Sequence, residues 1–141
     1  MIERKIKKIL VALDGSKNSN RGLDMAIYLA RQNDAKLTGI HVIYKIPKEY
    51  RELEYPEKPL LVEADRVMEY AKKRSAQNGI LFEKKVSFGD IGKEIVKFAK
   101  SLNYDIVIIG ARGQGVFKEM FLGSVSNYVV HKSKIPILLV K

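Results

Sequence analysis

Ile9-Leu10-Val11-Ala12-Leu13-Asp14-Gly15-Ser16 decides how the chain is read. A five-residue apolar run, Ile9–Leu13, ends in a carboxylate and a tight-turn pair, which predicts a buried strand followed by a turn. Directly after it, Leu23, Ala26, Ile27 and Ala30 recur at i, i+3, i+4 and i+7, one face of a helix. Ser16 or Asn18 is placed to cap that helix. Strand, turn and helix then repeat along the chain.

Leu37–Tyr44 reads as the second strand. Ala64, Val67, Met68 and Ala71 mark the second helix, which Asn78-Gly79 ends. Ile80–Phe88 is the third strand, with Phe82, Lys84, Val86 and Phe88 on one face; Lys84-Lys85 in mid-strand suits a sheet edge. Ile91, Ile95, Phe98, Ala99 and Leu102 mark the third helix. Ile106–Ile109 is the fourth strand, Ser124–Lys132 the fourth helix, and Ile135–Val140 the last strand. Such alternation predicts βαβ units, hence a parallel sheet with helices on both faces, an α/β fold that is three-layered and doubly wound. Near-continuous Ile/Val/Leu runs in strands one, four and five fit strands covered on both sides. Lys45–Pro59 breaks the rhythm with three prolines and little apolar periodicity, and reads as a mobile surface connection or a ligand lid.

The chain has 141 residues, enough for one domain, and residues 1–141 are expected to form a single one. Its longest apolar runs are too short for a membrane span, which needs about 20 residues, and Asp14 interrupts the N-terminal run too early for a signal peptide. A cytoplasmic protein without a membrane partner is expected. No cysteine is present, which excludes disulfides, thiolate metal sites and cysteine nucleophiles. Twenty-six Lys and Arg against 16 Asp and Glu give a net charge of +10. That balance invites an anionic partner or reflects a solvated lysine-rich surface. The basic residues are spread over all segments, so charge alone does not choose between these. Nucleic acid is not favoured, because no zinc finger, helix-turn-helix or RNP-like aromatic pattern is present.

Ligands of open parallel sheets bind beyond the strands' carboxyl ends, where the winding reverses. Asp14-Gly15-Ser16 follows strand one, and Gly110-Ala111-Arg112-Gly113-Gln114-Gly115 follows strand four. A P-loop fails here because Val116-Phe117 stand where Lys-Ser/Thr would be, and a dinucleotide fingerprint fails in both spacing and strand. Instead, Gly113 is followed after nine residues by Gly123-Ser124-Val125-Ser126 at a helix start. Free amides, the helix dipole and the two hydroxyls suit an anion there. Gly110 and Gly113 either open the backbone to the same anion or serve only turns. Arg112 either adds a charged contact or points to solvent. The mostly apolar Gln114–Leu122 is expected to fold as a short helix that closes on the phosphates.

These residues together resemble the universal stress protein family along the whole chain. The opening strand through Ser16, the pattern G-x2-G-x9-G-[ST] at Gly110, Gly113, Gly123 and Ser124, and the closing Ile135-Pro136-Ile137-Leu138-Leu139-Val140 carry the likeness. The resemblance implies a five-stranded parallel sheet in the order 3-2-1-4-5, Rossmann-like and of the adenine nucleotide α-hydrolase kind. It implies ATP, with Mg or Mn at the phosphates, and a homodimer through the last strand, Ile135–Val140. It places Ala12, Leu13 and Asp14 beside the adenosine and Val42 against adenine through its backbone. Ile109, Gly110, Arg112 and Gly113 fall near ribose and phosphates, and Gly123, Ser124, Val125 and Ser126 around the phosphates. Asp14 is either a turn cap or a contact to ribose or metal-bound water.

The implied function is a nucleotide-dependent regulatory, stress-response or chaperone-like module acting on a protein partner the sequence does not name. The alternative is a slow ATPase or an autokinase acting on Ser124 or Ser126, since no complete phosphoryl-transfer set is visible. Two histidines far apart in sequence, His41 and His131, do not suggest a metal site, and Tyr28, Tyr70 and Tyr128 are expected to be helix packing residues.

Overall fold

The structure, a computed structural model, describes residues 2–3, 5–50, 57–113 and 122–141. Its elements run β1 (Lys8–Ala12), α1 (Lys17–Asn33), β2 (Lys36–Tyr44), a 3₁₀ turn (Lys48–Tyr50), α2 (Glu57–Gln77), β3 (Phe82–Gly89), α3 (Ile91–Ser101), β4 (Ile106–Gly110), α4 (Ser124–Lys132) and β5 (Ile137–Val140). The strands form one parallel sheet in the order β3-β2-β1-β4-β5. This is the α/β fold expected from the alternating patterns. Pro59 falls inside the first turn of α2, where its missing N–H has no helical partner to lose, so the irregular stretch is shorter than expected.

Two cores sandwich the sheet, and the two-residue strand period sorts side chains between them. Ile9, Val11 and Leu13 of the first strand segment pack with Leu23, Ala26, Ile27 and Ala30 of α1 and with Val67, Met68 and Ala71 of α2. Leu10 and Ala12, with Val107 and Ile109 of β4, turn to the other face and meet Ile95 and Ala99 of α3 and Val129 of α4. Leu10, Leu23 and Ile108 have no exposed surface. Tyr28 and Tyr70 are not packing residues: they are 58% and 47% exposed. Each stands off the apolar stripe that defines its helix. Tyr128 does pack, its ring lying so close to Gly92 that a Cβ there would meet it at 2.7 Å.

Helix starts are capped by the local sequence. Ser16 accepts from the amide of Ser19 (3.1 Å) at α1, and Asp90 from that of Lys93 (3.0 Å) at α3. Both edges carry the residues foreseen for them. Lys84 and Lys85 are exposed along β3, while Ile137, Leu138, Leu139 and Val140 of β5 are all half-buried. β5 begins at Ile137; Ile135 and Pro136 lead into it.

Candidate functional site

At the carboxyl ends of the strands, between β1 and β4, lies a pocket of about 500 Å³, within the size range of small-molecule sites. Ala12, Leu13, Asp14, Val42, Ile109, Gly110, Arg112, Gly113, Gly123, Ser124, Val125 and Ser126 all line it. These residues are brought together by the reversal of winding, since β1 leads on to α1 on one face and β4 to α4 on the other.

The pocket has two kinds of wall. Ala12, Ile40, Val42, Ile95 and Ile109 belong to the core on the α3/α4 face, so that core opens into the pocket as an apolar lobe. The polar wall is made by the two loops after β1 and β4 and by the start of α4. Gly123 is the N-cap of α4, with φ −68° and ψ 162°, and among the described residues no side chain caps this helix. The amides of Ser124, Val125 and Ser126 occupy its first turn, where a helix supplies no acceptor of its own. Gly123 itself donates to the carbonyl of Ala111 (2.8 Å), which ties the start of α4 to the end of β4.

The side chains divide the labour differently from the sequence pattern. Ser126 is buried, and its hydroxyl faces the carbonyls of Ala111 (2.7 Å) and Gly123 (3.1 Å). Its one hydrogen is thus committed to the backbone, and Ser126 braces the loop rather than offering a donor to the pocket. Ser124 is exposed. Asp14 uses Oδ1 to accept from the amide of Ser16 (2.8 Å), so the turn-capping role is present. Its Oδ2 faces Gly113, where a Cβ would stand only 2.5 Å away. Gly110 is small for a different reason: a Cβ there would press on the backbone of Asn18 in α1, 3.0 Å away.

Several lining residues escaped the sequence reading: His41, Tyr44, Leu60, Glu63, Ile91 and Ile95. Leu60 and Glu63 lie one turn apart at the start of α2, in a stretch whose helical character the prolines obscured. Glu63 is held by Arg66 through bonds of 2.6 and 2.9 Å, and this guanidinium keeps its carboxyl below the usual range. His41 Nδ1 lies 2.8 Å from the carbonyl of Leu13. A carbonyl only accepts, so this nitrogen carries hydrogen. The proposed closing helix over Gln114–Leu122 falls, except for Leu122, outside the described residues.

The universal stress protein family matches residues 5–141, and the chain belongs to that family. Universal stress protein YxiE of Bacillus subtilis is 32% identical, over 95% of this chain and 98% of its own length. The solved structure of the hypothetical protein MJ0577 is 31% identical, with a TM-score of 0.86 and coverage of 98% of this chain and 97% of its own. Two further solved universal stress proteins share the fold with a TM-score of 0.76. One is in complex with cAMP (23% identical, 96% and 97% covered), and the other, from Archaeoglobus fulgidus, is in complex with dAMP (22%, 96% and 98%).

Proposed function

We propose that this protein is a single-domain, cytoplasmic ATP-binding regulator. The observation that carries the reading is the meeting, in one pocket, of an apolar lobe with a rim of helix-start amides and glycine backbone. The lobe formed by Ile40, Val42, Ile95 and Ile109 receives adenine, and the backbone of Val42 supplies its polar contacts. Asp14 meets the ribose through its carboxylate. The amides of Ser124, Val125 and Ser126, the Ser124 hydroxyl and the loop Gly110–Gly113 hold the phosphates, where a helix start favours negative charge. Arg112 adds a positive charge beside them.

Among the described residues no three His, Asp or Glu side chains come together as a metal site. A Mg or Mn ion accompanying the nucleotide would therefore rest on phosphate oxygens and water. Such an ion would supply charge neutralisation at the phosphates.

Regulation rather than turnover fits the site, because among the described residues no lysine lines the pocket. Slow hydrolysis or phosphorylation of Ser124 is the second reading, favoured by the exposure of that hydroxyl at the rim. A second copy of the chain pairs along the half-buried apolar edge of β5, giving a homodimer, and the nucleotide state alters contacts with a protein partner. No helix among the described residues is long and apolar enough to cross a membrane. The test is calorimetric titration of ATP into the parent and Gly123→Val. The parent binds, and the variant loses binding while keeping its circular dichroism spectrum. A folded variant that binds ATP like the parent overturns the cradle.

A further inference from the structure

Cations scattered along the sequence are gathered by the fold at the end of the sheet opposite the pocket. Near the pocket, Lys45 pairs with Glu57 (2.8 Å) and Arg66 with Glu63 (2.6 Å). At the far end the parallel topology collects every strand start and every helix end. Lys36 sits beside Lys8 in the β1–β2 register, and its amide donates to the carbonyl of Lys7 (2.8 Å). Leu81 precedes Phe82, which pairs with Leu37, so Leu81 stands next to Lys36. The Lys8 ammonium donates to the carbonyl of Leu102, drawing the end of α3, with Lys100, over the same strand starts.

Lys7, Lys36 and Lys100 are exposed and join no ion pair among the described residues. The acidic residues of this end are Glu3, Asp34, Glu83 and Asp105. The last is already engaged by the amides of Lys7 (2.8 Å) and Lys8 (2.9 Å). Favourable placement at a helix C-terminus accounts for Lys100. It does not account for Lys7 and Lys36, which precede or open strands. Nor does it account for Leu81, 93% exposed, or for Leu102, 45% exposed at the end of α3.

We propose that this end of the sheet docks on an anionic lipid surface. The lysines face phosphate and carboxylate headgroups, and Leu81 and Leu102 enter the acyl boundary, the pairing of basic and aliphatic groups that interfacial binding needs. This departs from the expectation of no membrane partner, which rested on the absence of a span; a peripheral contact is something the folded arrangement alone brings out. Nucleic acid fits less well. The patch sets its lysines beside the aliphatic Leu81 and Leu102 rather than beside aromatic faces for stacking, and it presents strand starts rather than a helix for a groove. The proposal is independent of the nucleotide reading, because roughly 17 Å of strand separates the two ends.

Sedimentation of the full chain with phosphatidylcholine vesicles, with and without phosphatidylserine, tests it. Binding is expected only with phosphatidylserine and weakens with added salt. Each lysine near the surface contributes about fivefold, so Lys7→Gln/Lys36→Gln/Lys100→Gln is expected to lose about 100-fold. Leu81→Ser, at unchanged charge, is expected to lose about tenfold. Both variants should keep the parent's circular dichroism spectrum and its ATP binding. Failure to bind phosphatidylserine vesicles, or equal binding to neutral ones, overturns the proposal. So does a Leu81→Ser variant that binds like the parent while the lysine variant loses affinity for vesicles and for an RNA oligonucleotide alike, because the patch would then be an unspecific polyanion site.

Discussion

Replacing Gly113 with alanine puts a methyl carbon 2.5 Å from Asp14 Oδ2. A carbon and an oxygen rest at about 3.3 Å or more, so the carboxylate must retreat by about 0.8 Å. It has little freedom to do so, because Oδ1 is bonded to the Ser16 amide at 2.8 Å. Turning the carboxylate away gives up a hydrogen bond to a charged group, which costs about 1–3 kcal/mol wherever it is made. If Asp14 meets the ribose, nucleotide affinity falls by the same kind of term, about 10–100-fold. Gly113 is exposed, so the core is untouched and the urea midpoint moves only by the weakened turn. A double-mutant cycle isolates the cause. Asp14→Ala alone should lose a similar factor, and Gly113→Ala added to it should change little, since the group it displaces is gone. The assay is calorimetric ATP titration of the four proteins. Full additivity, or parental affinity in Gly113→Ala, would refute the coupling of Gly113 to Asp14 and with it the ribose role of that carboxylate.

Other expectations are independent of nucleotide. Gly39→Ala should lower stability by about 1–3 kcal/mol in urea unfolding, because the new methyl meets the Phe82 ring and comes within 3.0 Å of Leu13. Asp90→Ala should remove the cap of α3 and cost about 1 kcal/mol, with protection of the first-turn amides lost in hydrogen exchange. Burial raises the Tyr104 hydroxyl above its ordinary range, although a hydrogen bond with Thr38 works the other way. Above pH about 10 the unfolded chain releases this proton while the folded chain keeps it, so stability falls as pH rises. Tyr104→Phe should flatten that alkaline loss relative to the parent, and an unchanged slope would show that Tyr104 does not contribute to it.

Much of the fold was legible because each strand and helix carries its own period. Ile9 to Leu13 and Leu23 to Ala30 already contain the βα unit, and Lys84-Lys85 marks an edge before any pairing is known. The twelve residues drawn from the sequence pattern and the family likeness all line one pocket because they follow strands whose carboxyl ends the topology brings together. What the sequence concealed depends on direction and distance. Ser124 and Ser126 look equivalent as a pair of hydroxyls, yet one is exposed and the other is turned to Ala111. Glu63 joins the pocket through a helix whose start lies among prolines. Tyr28 and Tyr70 share helices with packing residues but lie off their apolar stripes. The basic end of the sheet is built from Lys7, Lys36 and Lys100, positions far apart in sequence, and only the parallel topology unites them.

The most direct measurement is the small-molecule content of protein purified without added ligand, released by denaturation and identified by chromatography and mass spectrometry. The account expects ATP, or the protein's binding of added ATP with magnesium or manganese when it is purified empty. An empty protein that also fails to bind added ATP under those conditions would contradict it, leaving glycines that shape a loop beside an apolar pocket with another occupant.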